Sequence, residues 1–160
     1  MSMTNQQAFV LYHTLGKYKD DHQLSTKFSW AVMRNRRKLQ AFIDSLTDLR
    51  KPPVGLERFE AKRIELCNSL ADKDESGNPV IKDSSFVISD ANKQELNTKL
   101  EELRNGEFKA MFDEQERKRK EVEDIMKEPC DIEVYKVNPD YLPEKMSPAE
   151  LEIIELIIQE

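Results

Sequence analysis

The chain has 160 residues, of which 38% are hydrophobic and 35% charged; it carries a net charge of −6 and has four glycines and seven prolines. That balance fits a small helical protein with a thin core and a large solvated surface, and it excludes a thick β-sandwich. No apolar run of about 18 residues occurs, so no membrane-spanning helix is expected, and the negative charge argues against non-specific nucleic-acid binding.

Residues 4–17 predict a first helix, with Thr4 as cap, Phe9, Leu11, Tyr12 and Leu15 as an apolar patch and Gly16 at the end. Residues 25–50 predict the longest uninterrupted helix, capped by Ser25 or Thr26 and stopped by Pro52 and Pro53. Phe28, Val32, Asn35, Leu39, Phe42, Leu46 and Leu49 recur at alternating steps of four and three, a heptad seam with one polar residue in a core slot. Helical spacing resumes over residues 56–71 at Leu56, Phe59, Arg63, Leu66, Cys67 and Leu70, and an antiparallel hairpin with the long helix is expected.

The pattern changes at Asp72. Val80-Ile81 and Phe86-Val87-Ile88 predict a small β-hairpin with its turn near residues 83–85. Ser89 or Asp90 then caps a helix running to about Lys127, in which residues 113–121 contain no apolar side chain. This helix is expected to project, bend or break over residues 105–128, with Gly106 a further weak point. Residues 131–137, DIEVYKV, alternate as a strand and are expected to join the hairpin in a three-stranded sheet. Residues 138–146 read as an extended linker to a C-terminal helix, residues 147–160, which opens with a Ser-Pro-Ala-Glu capping signal. The expected architecture is one domain, 1–160, mainly α with a small β element: a helical hairpin, a long projecting helix, a small antiparallel sheet and an apolar C-terminal helix.

Charge is unevenly spread. Residues 1–51 carry nine Lys/Arg against four Asp/Glu, whereas residues 121–160 carry three Lys against twelve Asp/Glu. The basic start and acidic end are expected to attract each other, within one chain or between chains. The opening residues lack a signal-peptide pattern, so a cytosolic protein is expected, and in that compartment Cys67 and Cys130 read as free thiols.

Several segments in this order resemble an uncharacterised family of small proteins encoded by tailed bacteriophages. They are QQAFVLYHTLGKY, FSWAVMRNRRKL, DESGNPV before a strand, LNTKLEEL in a capped helix, and the ending DIEVYKVNPDYLPEKMSPAELEIIELI. The resemblance covers most of the chain, with residues 105–128 as an expansion relative to shorter members. It implies a phage origin, and therefore the host cytoplasm or the virion; it supplies no activity, cofactor or catalytic residue.

Each candidate site has an ordinary reading beside it. Asn35 on the seam is a device for fixing register or oligomer number, in which case Asn35→Leu would stabilise the fold; otherwise it bonds a group within its own chain. Arg34, Arg36, Arg37 and Lys38 could grip phosphates or an acidic partner, or form the solvated back of an amphipathic helix. Arg117 to Lys120 lie among many acids and read as a solvated helix face. Asp72, Asp74, Ser76 and Asp83 fall at calcium-loop positions 1, 3, 5 and 12, but Pro79 and the shorter Asp83 favour a plain polar turn. His13 and His22 match no nucleophile or metal pattern, so no enzyme and no cofactor is expected. Trp30 lies off the seam and reads as a second packing surface, with a ligand platform as the alternative. Leu151, Ile153, Ile154, Leu156, Ile157 and Ile158 surround most of the last helix: Leu151, Ile154 and Ile158 form one stripe, so either a partner covers the rest or the core wraps the helix entirely. The expected function is non-catalytic protein binding, host-directed or as a virion or assembly component, with self-association possible and nucleic-acid binding as the alternative.

Overall fold

The computed structural model describes residues 3–159, and the chain forms two compact units. The first comprises the chain up to Lys51 and from Arg119 onward; the second is Pro52–Lys118. Six α-helices occur among the described residues: α1 (Asn5–Gly16), α2 (Thr26–Leu49), α3 (Leu56–Leu70), α4 (Asp90–Asn105), α5 (Lys109–Lys127) and α6 (Pro148–Ile154). A two-stranded antiparallel sheet, β1 (Ile81–Lys82) with β2 (Ser85–Phe86), completes a mainly helical chain with a small β element.

In the first unit, Thr4 caps α1 through a capping box: its hydroxyl accepts from Gln7 N and the Gln7 side chain accepts from Thr4 N. Ser25 caps α2 by accepting from Phe28 N at 3.2 Å. The two helices run antiparallel. Tyr18 meets Phe28 beyond one end with ring centroids 5.6 Å apart, and Arg50 lies 5.1 Å over Phe9 near the other. The seam is the buried side of α2: Phe28, Val32, Asn35, Leu39 and Leu46 are buried and Leu49 is exposed. Leu11, Leu15, Phe28, Leu39, Ile154 and Ile157 are fully buried, each contributing roughly 1.5–3 kcal/mol through area removed from water.

Of the two expected readings of the C-terminal helix, its buried positions follow the one in which it packs into the core of its own unit. Ser147 and Glu150 form its capping box, but α6 ends at Ile154 and tightens into a 3₁₀ turn at Glu155–Ile157. In that tighter winding, residues three apart eclipse. Ile154 and Ile157 therefore enter the core together, and the expected Leu151–Ile154–Ile158 stripe does not form. Leu151 is exposed, while Ile153, Leu156 and Ile158 are partly buried against the same core. The segment before α6 is also docked. Ser25 Oγ donates to the Tyr141 carbonyl at 2.8 Å, and Lys27 Nζ donates to the Tyr141 hydroxyl at 2.6 Å.

Residues 131–137 join no sheet, a second correction. They belong to the first unit and the hairpin to the second. Side chains of α2 and the backbone at the end of the chain pair one side of the segment instead: Val137 N donates to Ile157 O and Gln159 N to Val137 O.

The second unit pairs α3 with α4, again antiparallel. Asn92 Nδ2 donates to Leu70 O at one end, and Phe59 packs on Phe108 and Phe112 at the other, at 5.3 and 4.9 Å. The helical pairs are thus α1 with α2, α1 with α6, and α3 with α4; the two arms of the expected hairpin, residues 25–50 and 56–71, belong to different units. The long helix breaks at Gly106, where a Cβ would stand 2.8 Å from Glu102 O. The charged run 113–121 stays helical because pairs such as Lys109–Asp113, Arg117–Glu114 and Arg119–Glu123 join side chains at three- and four-residue spacing. Asp83 and Ser84, at φ 48° and 63°, make the two-residue turn that suits a twisted hairpin.

Replacing Ile154 by Ala is expected to cost about 2–5 kcal/mol, from lost burial and the cavity left behind. Urea unfolding measures it, and deletion of residues 147–160 should abolish the cooperative unfolding of the first unit. A stable, soluble truncation would contradict the burial of Ile154 and Ile157.

Glu150 links α6 to α1. It accepts from Ser147 N at 3.0 Å, from Lys17 Nζ at 2.9 Å and from the Ser147 hydroxyl at 2.8 Å, which hold its carboxyl at about 2, below its ordinary 4.5. A carboxyl lowered by folding stabilises the fold above pH 4.5, and that contribution disappears as the pH falls towards 2. The melting-temperature gap between the parent and Glu150→Gln should therefore be widest above pH 5 and close across that window; a gap independent of pH would count against the assignment.

Candidate functional site

The outward face of α2 and the extended segment 131–137 form one surface, organised by Asn35. Its side chain is completely buried. Nδ2 donates to the Tyr135 carbonyl at 2.9 Å, and Oδ1 accepts from Tyr135 N at 2.6 Å. The amide thus pairs with both backbone groups of one residue, as a neighbouring strand would. Of the two expected readings of Asn35, this is the intrachain one.

The four cations around Asn35 do not form one grip. On a helix, positions 34, 37 and 38 share a face, three and four residues apart, and position 36 points away from them. Arg36 turns inward: it donates to the Tyr12 carbonyl at 3.1 Å and the Tyr12 hydroxyl at 3.2 Å, and its guanidinium lies 4.3 Å from that ring's centre. Tyr12 in turn donates to Gln40 Oε1 at 2.6 Å. Gly16 leaves room for this arginine, since a Cβ there would stand 2.5 Å from its Nη1. Lys38 Nζ donates to the Glu133 carbonyl at 2.7 Å, a second tie to the extended segment. Arg37 is exposed and makes no ion pair or hydrogen bond among the described residues.

Arg34 has the most distinctive surroundings. Its guanidinium lies 5.8 Å from the centre of the Trp30 ring and 5.4 Å from that of Tyr135, within reach of cation–π attraction to both. Trp30 is 48% exposed and Tyr135 37% exposed, so an aromatic–arginine–aromatic cluster faces outward. The heptad pattern set Trp30 apart but gave no sign of Tyr135. The alternation of DIEVYKV marks Tyr135 as facing opposite to Val134, and nothing local pairs it with Arg34, about 100 positions earlier.

In the second unit, the candidate calcium loop is a self-bonded turn. Asp74 Oδ1 accepts from Ser76 N and Asn78 N, both at 2.9 Å, and Gly77 takes a positive φ of 82°. Asp72 Oδ1 accepts from Ser89 N, and Asp83 lies in the hairpin turn. No three His, Cys, Asp or Glu side chains among the described residues are grouped to hold a metal ion. Cys67 and Cys130 are unpaired, and no helix among the described residues is long and apolar enough to cross a membrane. No family model, curated protein or solved structure matches the chain.

Asn35→Leu should destabilise the protein by about 2–4 kcal/mol, because each backbone group it deprives of a partner costs roughly 1–3 kcal/mol. Denaturant unfolding together with light scattering tests this. A more stable variant, or one whose oligomeric state changes, would restore the seam as an association surface.

Proposed function

We propose that the chain is a non-catalytic, protein-binding factor of a tailed bacteriophage, and that Trp30, Arg34 and Tyr135 anchor its partner. The observation that carries this is the exposed cluster of those three residues. Trp, Tyr and Arg are the residue types in which interface binding energy concentrates. Rigidity adds to the case: a buried amide fixes the Tyr135 backbone and helix α2 fixes Trp30 and Arg34, so little ordering remains to be done on binding. The phage origin rests on the ordered resemblance of its sequence segments to the phage family. The partner is taken to be a host or phage protein met in the host cytoplasm.

The test is affinity capture from infected and uninfected bacteria with the parent and with Trp30→Ala/Tyr135→Ala. The variant should lose its partner by about 30-fold or more, a loss of some 2 kcal/mol or greater, while keeping its far-UV spectrum. Equal capture by both proteins overturns the reading. Stoichiometric copies in purified particles would instead make the chain a virion component.

A further inference from the structure

The extended segment 131–137 is paired along one side only. In extended backbone, the N–H and C=O groups of alternate residues point the same way. The odd-numbered groups are engaged: the Glu133 carbonyl accepts from Lys38, Tyr135 N and O bond Asn35, and Val137 N and O bond the last turn. On the other side the first rung is made, where Cys130 N donates to Met3 O at 2.7 Å. Beyond it, the backbone N–H and C=O of Ile132, Val134 and Lys136 have no hydrogen-bond partner among the described residues. An unpaired edge of this kind is a template for another strand.

This edge borders a cavity of about 690 Å³, which Ile132, Val134 and Lys136 line and Tyr135 does not. Asp131, Glu133, Glu152 and Glu155 also line it, and none of these carboxylates is in an ion pair among the described residues. The cation lining it is Lys136, whose Nζ is already bonded to the Leu156 carbonyl at 2.9 Å. We propose that this groove binds an extended, cationic segment of a partner protein, added as a strand to the open edge at residues 132–136. The backbone supplies the pairing and the four carboxylates select Lys or Arg at alternate positions of the incoming strand. This site is separate from the Trp30–Arg34–Tyr135 cluster and stands or falls independently of it.

Fluorescence anisotropy with three labelled octapeptides tests the proposal. The first alternates arginine and valine, the second alternates glutamate and valine, and the third is the arginine peptide with alternate backbone nitrogens methylated. The first should bind, with an affinity that falls as salt rises; the second should not; the third should bind at least tenfold more weakly, because it lacks the donors of a ladder. Glu133→Lys/Glu155→Lys should weaken the first peptide at least tenfold and leave the unfolding midpoint essentially unchanged, as surface changes do. Trp30→Ala/Tyr135→Ala should leave peptide binding unchanged. Equal binding of the methylated and parent peptides, or no binding of the arginine peptide, overturns the proposal. So does a concentration-dependent dimer in sedimentation, which would make a second copy of the chain the occupant.

Discussion

The first unit depends on one buried amide. Burying Asn35 with its amide unpaired would leave strong donors and acceptors without partners in the least wetted part of the core. The fold meets this by bringing the backbone of Tyr135 to both ends of that amide, a bond across about 100 positions of sequence. Other features follow from it. The extended segment lies along α2, Tyr135 comes beside Arg34, and the opposite edge of the same segment turns towards the groove lined by Asp131 and Glu155. A leucine at position 35 would satisfy the heptad pattern, but it would give the segment no reason to stop at this register.

The charge asymmetry has a matching structural outcome. The basic start and the acidic end belong to the same unit, while residues 52–118 fold as an inserted unit of their own. The attraction is realised through a few specific bonds, Lys17 to Glu150 and Lys38 to the Glu133 carbonyl among them. Asp131, Glu133, Glu152 and Glu155, which line the groove, are in no ion pair among the described residues, and this leaves the groove negative.

Local signals were legible and long-range pairings were not. Thr4, Ser25 and Ser147 could be read as caps because a cap and its target lie within three residues. The seam of α2 was legible in its first half; towards its end Ile43 is buried, Phe42 is partly buried and Leu49 is exposed. The fate of residues 131–137 was not, since alternation states that a segment is extended and not what it pairs with. Arg34, Arg36, Arg37 and Lys38 looked like one cluster in the linear text, yet Arg36 and Lys38 bond groups more than twenty and ninety positions away. The break at Gly106 rather than within residues 113–121 reflects a competition that period alone misjudges: paired charges support a helix, and glycine does not.

The first unit is discontinuous in the chain, and this has a consequence during synthesis. Phe28, Leu39 and their neighbours emerge early, but Ile154 and Ile157, which cover them, are made roughly a hundred residues later, some 5–20 s at ordinary elongation rates. For that interval the nascent α1–α2 pair presents an open apolar face, whereas the inserted unit can close on its own contacts. Ribosomes that stall before the last turn would release a chain with a finished middle and unfinished ends. Such a chain exposes the very surface that chaperones and proteases recognise.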